Sequence, residues 1–576
     1  MLKKIHNELI QKNVAFIISF FAFYGFRYLL NISTNGFSNL LLFFAILIGF
    51  YYIKQNIVIE NKKTSIVFSL LLTLISYVGK EIYLNGQIIN CSKFYKIPII
   101  IIGLFIIYYY FFEIINNIYN KEKKNKEESL KKYNISKKKI IIMIILMLTV
   151  YGLCYFSFFP GLFNYDMLLQ NCMAKGICNL SNHHPVLHTL IWKMCLFIET
   201  KLSIKNISII SYSILQMLIV IIIYIKFILW EIKNKWDLKY IYITYIFFLI
   251  NPILHVFSFS PTKDVFFSCF LLLFLMCLFD SFHDKKNSFI KLIILSLFCS
   301  LFRNNFVYVL FVVAIILMFY KYKKQFVSII ITIVLYFFIT NFLFAKLNIV
   351  KSNVAEKLSI PLVQISYSLN NTKVFNNNDK KILVRTAPNI YNYNPRLSDT
   401  IKTPFDENYY NQHKKQFWIV YLKGLKNNPK GYIVSALNLD IQYWYYDAEL
   451  VDPYNKKEYI EDKLFDEEMH NRIPFVFKKI YNYYSKVDDT KVFYMNLPIL
   501  NFFFTLSFNF YILIISLYLS INTKNNNNII ILMLLLLLLG TYLLGPIANF
   551  RYMYPFYFCL PFYLGLVFNK KSDIIK

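Results

Sequence analysis

Polar residue is what this sequence has least of. Only 16% of its 576 residues are charged, while 57% are apolar and 19% aromatic, which leaves too little polar surface to coat a soluble globule. Acidic residues are scarcer still, with 32 Asp and Glu against 62 Lys and Arg and a net charge of +30. The lysines stand mainly in short loops between apolar runs, so the excess serves membrane topology and not nucleic-acid binding. Arginine is the rarest cation, six of the 62. The abundance of Lys, Asn and Ile has the look of an AT-rich coding bias, so arginine positions carry more information than lysine positions. After Lys3, Lys4 and Lys12 and the first apolar run, Val14 to Leu30, no small-x-small cleavage site follows in Asn31 to Phe37, which reads as an uncleaved span. No internal repeat is present.

What is there is a series of apolar runs, each about the length of a membrane crossing. A window of about 19 residues places spans near 14–31, 37–53, 64–84, 97–119, 140–159, 206–229, 239–257, 264–282, 288–303, 305–320, 325–346, 495–520, 529–545 and 552–568. The chain is thus expected to be an all-α polytopic membrane protein with about 14 transmembrane helices. The loop Lys121 to Lys139 holds nine lysines against three glutamates and fixes that side as cytoplasmic. Alternation then puts Lys54 with Lys62 and Lys63, the segments Lys233 to Lys239, Asp284 to Lys291 and Lys321 to Lys324, and the tail Lys570 to Lys576 inside as well. This holds only if Pro185 to Glu199 does not cross. That segment reads as an interfacial helix begun by Pro185 in the first-turn position.

The organisation expected is a four-span region with its basic loop over 1–139, a catalytic transmembrane module over 140–346 with its first outer loop at 160–205, an extracytoplasmic α or α+β domain over 347–494, and three closing spans over 495–576. Within the outer domain, Lys415 to Lys426 and Pro429 to Tyr446 have helical periodicity, the second capped by Asn428. Residues 370–403, rich in Asn, Asp and Pro, read as loop.

The same alternation gathers the informative polar residues at outer ends of spans. The first outer loop carries Asp166, flanked by Tyr165 and Gln170, with Pro160 and Gly161 ending the helix before it. Its HHPVLH stretch carries His183, His184 and His188. His184 and His188 are four apart, a spacing that suits either a shared helical face for a metal with Asp166 or hydrogen bonds to an anion at a helix N-terminus, and the anion is favoured. SPTKD brings Lys263 and Asp264, which would alternatively pair with each other. Arg303 in FRNN and Arg551 in GPIANFRYMYP are two of six arginines, and the guanidinium fork suits phosphate, with snorkelling as the rival role. Cys172 and Cys178 in the same loop suit a short-loop disulfide on an oxidising side, and the other cysteines whose surroundings are apolar read as small hydrophobes.

One carboxylate with several cations restricts the chemistry. Glycoside hydrolysis generally needs a second carboxylate as acid, whereas a lipid phosphate leaves as a stable anion. One base and a cationic grip on the phosphate then suffice. Asp166 is accordingly the candidate base. Lys263, Arg303 and Arg551 are candidate phosphate ligands, and the three histidines, Asp264, Gln170 and Tyr165 candidate substrate contacts. Trp418, Tyr443, Trp444 and Tyr446 of the outer domain are candidates for stacking on sugar rings or for core packing.

PGLFNYDMLLQ, NHHPVLHTL, SPTKDVFFS, LFRNN and GPIANFRYMYP resemble the motif set of a narrower family of multi-pass bacterial proteins assigned to the GT-C superfamily of membrane glycosyltransferases. That superfamily includes the protein O-mannosyltransferases and the lipid A aminoarabinose transferases. The resemblance covers roughly Ile140 to Tyr320 and Gly545 to Pro555. It implies a GT-C-like fold and transfer of a sugar from a polyprenyl-phosphate donor to a glycan, lipid or protein acceptor, outside the plasma membrane, with Asp166 as base. Some members hold a divalent metal with more than one acidic residue, and the single carboxylate of this loop puts that metal in question. The rival classes are a polymerase or ligase of lipid-linked oligosaccharides, a transporter or flippase, for which Arg27, Lys80, Glu81 and Glu113 in the N-terminal spans would be the ionisable residues, and a scaffold.

Overall fold

The computed structural model describes residues 2–32, 36–58, 62–89, 91–127, 135–283, 288–449 and 462–568. Parts of the basic loop (128–134), of the segment after Phe282 (284–287) and the C-terminal tail (569–576) lie outside them. The chain is an all-α, multi-pass membrane protein with eight helices long and apolar enough to cross a bilayer: Asn13–Leu30, Gly36–Ile53, Lys63–Asn85, Phe94–Lys121, Lys137–Ser157, Ile207–Lys233, Lys263–Phe282 and Lys323–Lys346. Each coincides with an expected span.

Five of the other six expected spans are shorter or broken, and the sixth is the unbroken 19-residue helix Phe550–Phe568. Leu238–Ile250, Ser288–Phe302, Phe306–Phe319, Phe508–Asn522 and Asn526–Tyr542 are apolar helices of 10–17 residues. Even the longest reaches only about 26 Å, below the ~30 Å of the hydrocarbon layer. The span expected at 239–257 is interrupted at Asn251, whose side chain caps a separate short helix, Pro252–Phe257. The one expected at 495–520 is divided into Pro498–Phe503 and Phe508–Asn522. Phe550–Phe568 carries Pro555 and Pro561 inside it.

The chain forms two compact units. The first comprises 1–131, 444–448 and 514–525. Here two helices approach backbone to backbone, because a Cβ on Gly103 would overlap the carbonyl of Phe21, the close approach that small residues permit. Glu81 accepts hydrogen bonds from the Tyr28 hydroxyl (2.9 Å) and the Asn85 amide (2.8 Å), Lys80 donates to the Tyr28 carbonyl, and the fully buried Glu113 accepts from Ser65. Trp444 and Tyr445 pack on Gly79, and Tyr446 donates to the Leu29 carbonyl at 2.5 Å. Trp444 and Tyr446 are therefore packing residues and not sugar platforms.

The second unit comprises 132–443, 449–513 and 526–576. At the end of Lys137–Ser157 the chain turns at Gly161, whose φ of +147° and whose closeness to Ser213 and Ile209 admit no side chain. Leu162–Phe163 pairs antiparallel with Lys463–Leu464 in a two-residue ladder, and a short helix, Tyr165–Ala174, follows. The non-crossing segment is the helix Val186–Leu202. Pro185 stands at its N-cap, one position earlier than the sequence suggests. Residues 354–439 are mainly helical around a core that includes Leu362, Ile365, Leu383, Ile401 and Phe417. Residues 370–403 are not loop throughout: Asn376 and Asp379 form a capping box for the helix Asn377–Thr386. Polar residues that sequence reading assigns to a loop here satisfy a helix end. Asn428 caps Pro429–Leu439 as expected. Trp418 packs against that core, and Tyr443 is buried with its hydroxyl held by the backbone of Asn549. Tyr443 is thus a packing residue, while Trp418 is half-buried.

This region also fixes the loops that carry the candidate residues. Val350 exchanges backbone hydrogen bonds with Leu180 and Asn182, both at 2.8 Å, and Ser398 donates to the Pro546 carbonyl at 2.9 Å.

Candidate functional site

Asp166 lies in the first turn of Tyr165–Ala174, where a carboxylate is favoured by the helix dipole. Asn164 caps that helix by accepting from the Met167 N–H at 3.0 Å, and its own amide donates to the Pro261 carbonyl at 3.2 Å. The aspartate helix is thereby fastened to the SPTKD turn. There Thr262 caps Lys263–Phe282 and aims Lys263 back at the aspartate.

Three nitrogen atoms converge on one oxygen, Asp166 Oδ2: Arg551 Nη1 at 2.9 Å, Lys263 Nζ at 3.5 Å and His184 Nδ1 at 3.8 Å. All four side chains are largely withdrawn from solvent, with the carboxylate 16% exposed. Burial on its own would raise the Asp166 pKa. The Arg551 guanidinium, then Lys263, outweigh it and hold the carboxyl far below the usual range. His184 is pushed the other way, from 6.5 down to about 3, by burial and then by Lys263, so it is neutral at physiological pH. Its Nδ1 is buried and has no hydrogen-bond partner among the described residues.

The other expected site residues separate into supports and bystanders. His188 is fully buried, hydrogen-bonded to the Gln170 side-chain amide (2.5 Å) and to the Tyr212 hydroxyl (2.7 Å). Tyr212 donates to Gln216, whose amide in turn donates to the carbonyls of Phe257, Ser258 and Ser260. His188 and Gln170 therefore tie the aspartate helix to its neighbours. His184 and His188 share no helical face, because the helix begins only at Val186. His183 is exposed beside His184, with ring centroids 4.6 Å apart, and Tyr165 is 81% exposed.

Lys263 and Asp264 do not pair with each other. Asp264 is fully buried and accepts from Arg303, whose guanidinium lies 4.2 Å from the ring centroid of Tyr542 and 4.7 Å from that of Tyr552. A guanidinium neutralised by a carboxylate and sandwiched by rings is not a free phosphate ligand. Arg303 is better described as a positioning residue: Tyr552, held by it, accepts from Arg551 Nη2 at 3.3 Å. Tyr552 was legible as the neighbour of Arg551, whereas Tyr542 stands in an apolar run with nothing to mark it.

The donor set does not fit a divalent metal. Among the described residues no group of three or more His, Cys, Asp or Glu is placed to hold one, and the one carboxylate is already neutralised by two fixed cations that would repel it. Cys172 and Cys178 form a disulfide, with Cα atoms 5.5 Å apart, across the turn between the aspartate helix and the histidines.

The two buried histidines have a consequence for stability. His188 is lowered to about 3 chiefly by burial, as His184 is. Between pH 6.5 and about 3 the unfolded chain binds protons that the folded one refuses, so stability is complete above 6.5 and falls as pH drops through that window. Thermal melts in detergent across this range should show the loss, and His188→Gln should make the pH dependence shallower. An unchanged slope in the variant would remove His188 from the account.

A model of a family described as "Family of unknown function (DUF6020)" matches residues 173–574. The match spans His183, His184, His188, Lys263, Asp264, Arg303 and Arg551, and it begins after Asp166 and Gln170. No curated protein and no solved structure matches the chain.

Proposed function

We propose that this chain, which belongs to the DUF6020 family of unknown function, is a GT-C-like glycosyltransferase of the plasma membrane that moves a sugar from a polyprenyl-phosphate donor to an acceptor hydroxyl on the extracytoplasmic side. The observation that carries this reading is the convergence of Arg551, Lys263 and His184 on Asp166. Among the described residues it is a cluster of two cations and a neutral histidine about one carboxylate, the carboxylate lying in a loop that directly follows the apolar helix Lys137–Ser157. Asp166 takes the proton of the acceptor hydroxyl and the acceptor oxygen bonds to the sugar's anomeric carbon. The bond from that carbon to the phosphate oxygen breaks, its electron pair staying on the phosphate. Arg551 and Lys263 bind the departing polyprenyl phosphate. The Val186–Leu202 helix, whose N-cap proline supplies no side-chain cap, adds an end favourable to anions.

Two observations support an outward-facing site. The Cys172–Cys178 disulfide lies in the same loop, and disulfides persist in oxidising compartments. The lysine-rich loop 121–139 belongs inside by the positive-inside rule. In this reading all fourteen apolar segments form the membrane region, the shorter ones lining it next to longer neighbours. The second unit carries the chemistry.

Lys80, Glu81 and Glu113, buried in the first unit, favour a second reading, a flippase of lipid-linked sugars, because ionisable groups inside spans mark translocation paths. The test is glycan composition of the surface of cells lacking the protein, complemented with the wild type or with Asp166→Asn at equal membrane level. The transferase reading expects the wild type alone to restore a missing sugar. Restoration by both would dismiss Asp166 as the base and leave the flippase.

A further inference from the structure

We infer that in the resting site Asp166 occupies the place of an anionic ligand, and that a phosphate ester entering the cleft takes Arg551 and Lys263 from it, so that donor binding and release of the base are one event. This rests on the phosphate-binding reading above and adds an order to it.

Among the described residues, Arg551 and Lys263 meet Asp166 on a single oxygen, so a phosphate that engages them must compete with that carboxylate. His184 Nδ1 points at Asp166 Oδ2 from 3.8 Å, too far for a hydrogen bond, and is buried without a partner among the described residues. A ligand oxygen that took the place of Oδ2, closer to Nδ1, would satisfy it. The same atoms explain why the newcomer displaces the carboxylate and does not simply join it. Both cations reach one oxygen, Oδ2, and an anion placed against them would stand beside a like charge. A carboxylate held as far below its usual range as Asp166 is a poor base. Once the guanidinium and the ammonium turn to phosphate, its proton affinity returns toward that of an ordinary carboxylate. An acceptor hydroxyl is then deprotonated only in the presence of donor.

The experiment is titration calorimetry of geranyl phosphate into the purified full-length protein in detergent, for the wild type, Asp166→Asn, Asp166→Glu and Arg551→Ala. Removing the competing carboxylate should tighten binding on the order of tenfold in Asp166→Asn. Asp166→Glu, which keeps the charge, should bind like the wild type, and Arg551→Ala should bind weakly. If Arg551→Ala loses affinity while Asp166→Asn binds no tighter than the wild type, the exchange is wrong and the phosphate site survives. If Arg551→Ala binds as the wild type does, the phosphate site itself is wrong and the inference goes with it. Should Asp166→Asn fail to fold, infrared difference spectra of the wild type with and without inorganic phosphate decide the matter. Exchange requires a shift of a carboxylate band that Asp166→Glu moves, and an unchanged band overturns it.

Discussion

Asp166→Asn is expected to lower kcat for sugar transfer about 10³-fold, the scale of losing a positioned general base. The KM for the lipid donor should not rise. The asparagine keeps the size of the side chain but cannot take the acceptor proton, and it competes less well for Arg551 and Lys263, which remain to hold the phosphate. The assay is transfer by purified protein from a lipid-phosphate sugar, with donor and acceptor varied separately. A kcat within tenfold of the wild type would mean that another group accepts the proton.

The second large effect concerns stability. Asp264→Asn should cost about 3–5 kcal/mol, the range for breaking a buried ion pair by removing one partner, because the Arg303 guanidinium, its side chain only 10% exposed, loses its counter-charge. Replacing both groups, Asp264→Asn with Arg303→Met, should recover much of that cost. Unfolding followed in mixed micelles measures both variants. Equal losses in the single and double variants would show that the pair matters through its shape and not its charge. Activity should fall in the single variant too, through Tyr552 and its bond to Arg551.

Much of the membrane region was legible because hydropathy and length act locally. Each of the eight long spans is a run whose own residues are apolar enough to sit in lipid. Two of the remaining segments are divided where one span was expected, because a window of apolar residues does not register a break. Asn251 before Pro252 ends one helix and caps another without lowering the hydropathy much. The capping box at Asn376 and Asp379 misled in the opposite sense, since residues that terminate helices also begin them.

The candidate site was half legible. Alternation of spans predicts that Asp166, His184, Lys263 and Arg551 fall near like ends of spans, and this follows from counting crossings. Their pairing does not. Lys263 and Asp264 are neighbours in sequence, but successive residues of a helix point about 100° apart, so one reaches Asp166 and the other Arg303. Likewise His188, four residues beyond His184, turns inward on a helix that His184 never joins.

By itself, then, the sequence determined that the chain enters a membrane many times and that its lysines lie largely between the apolar runs. Those are properties of short stretches and of the lipid around them. Only the tertiary structure decided what each cation meets. Arg551 meets Asp166 across 385 residues of chain, while Arg303 is consumed by Asp264 and two tyrosine rings. The two arginines look alike as sequence, and packing alone sets one against Asp166 and the other against Asp264.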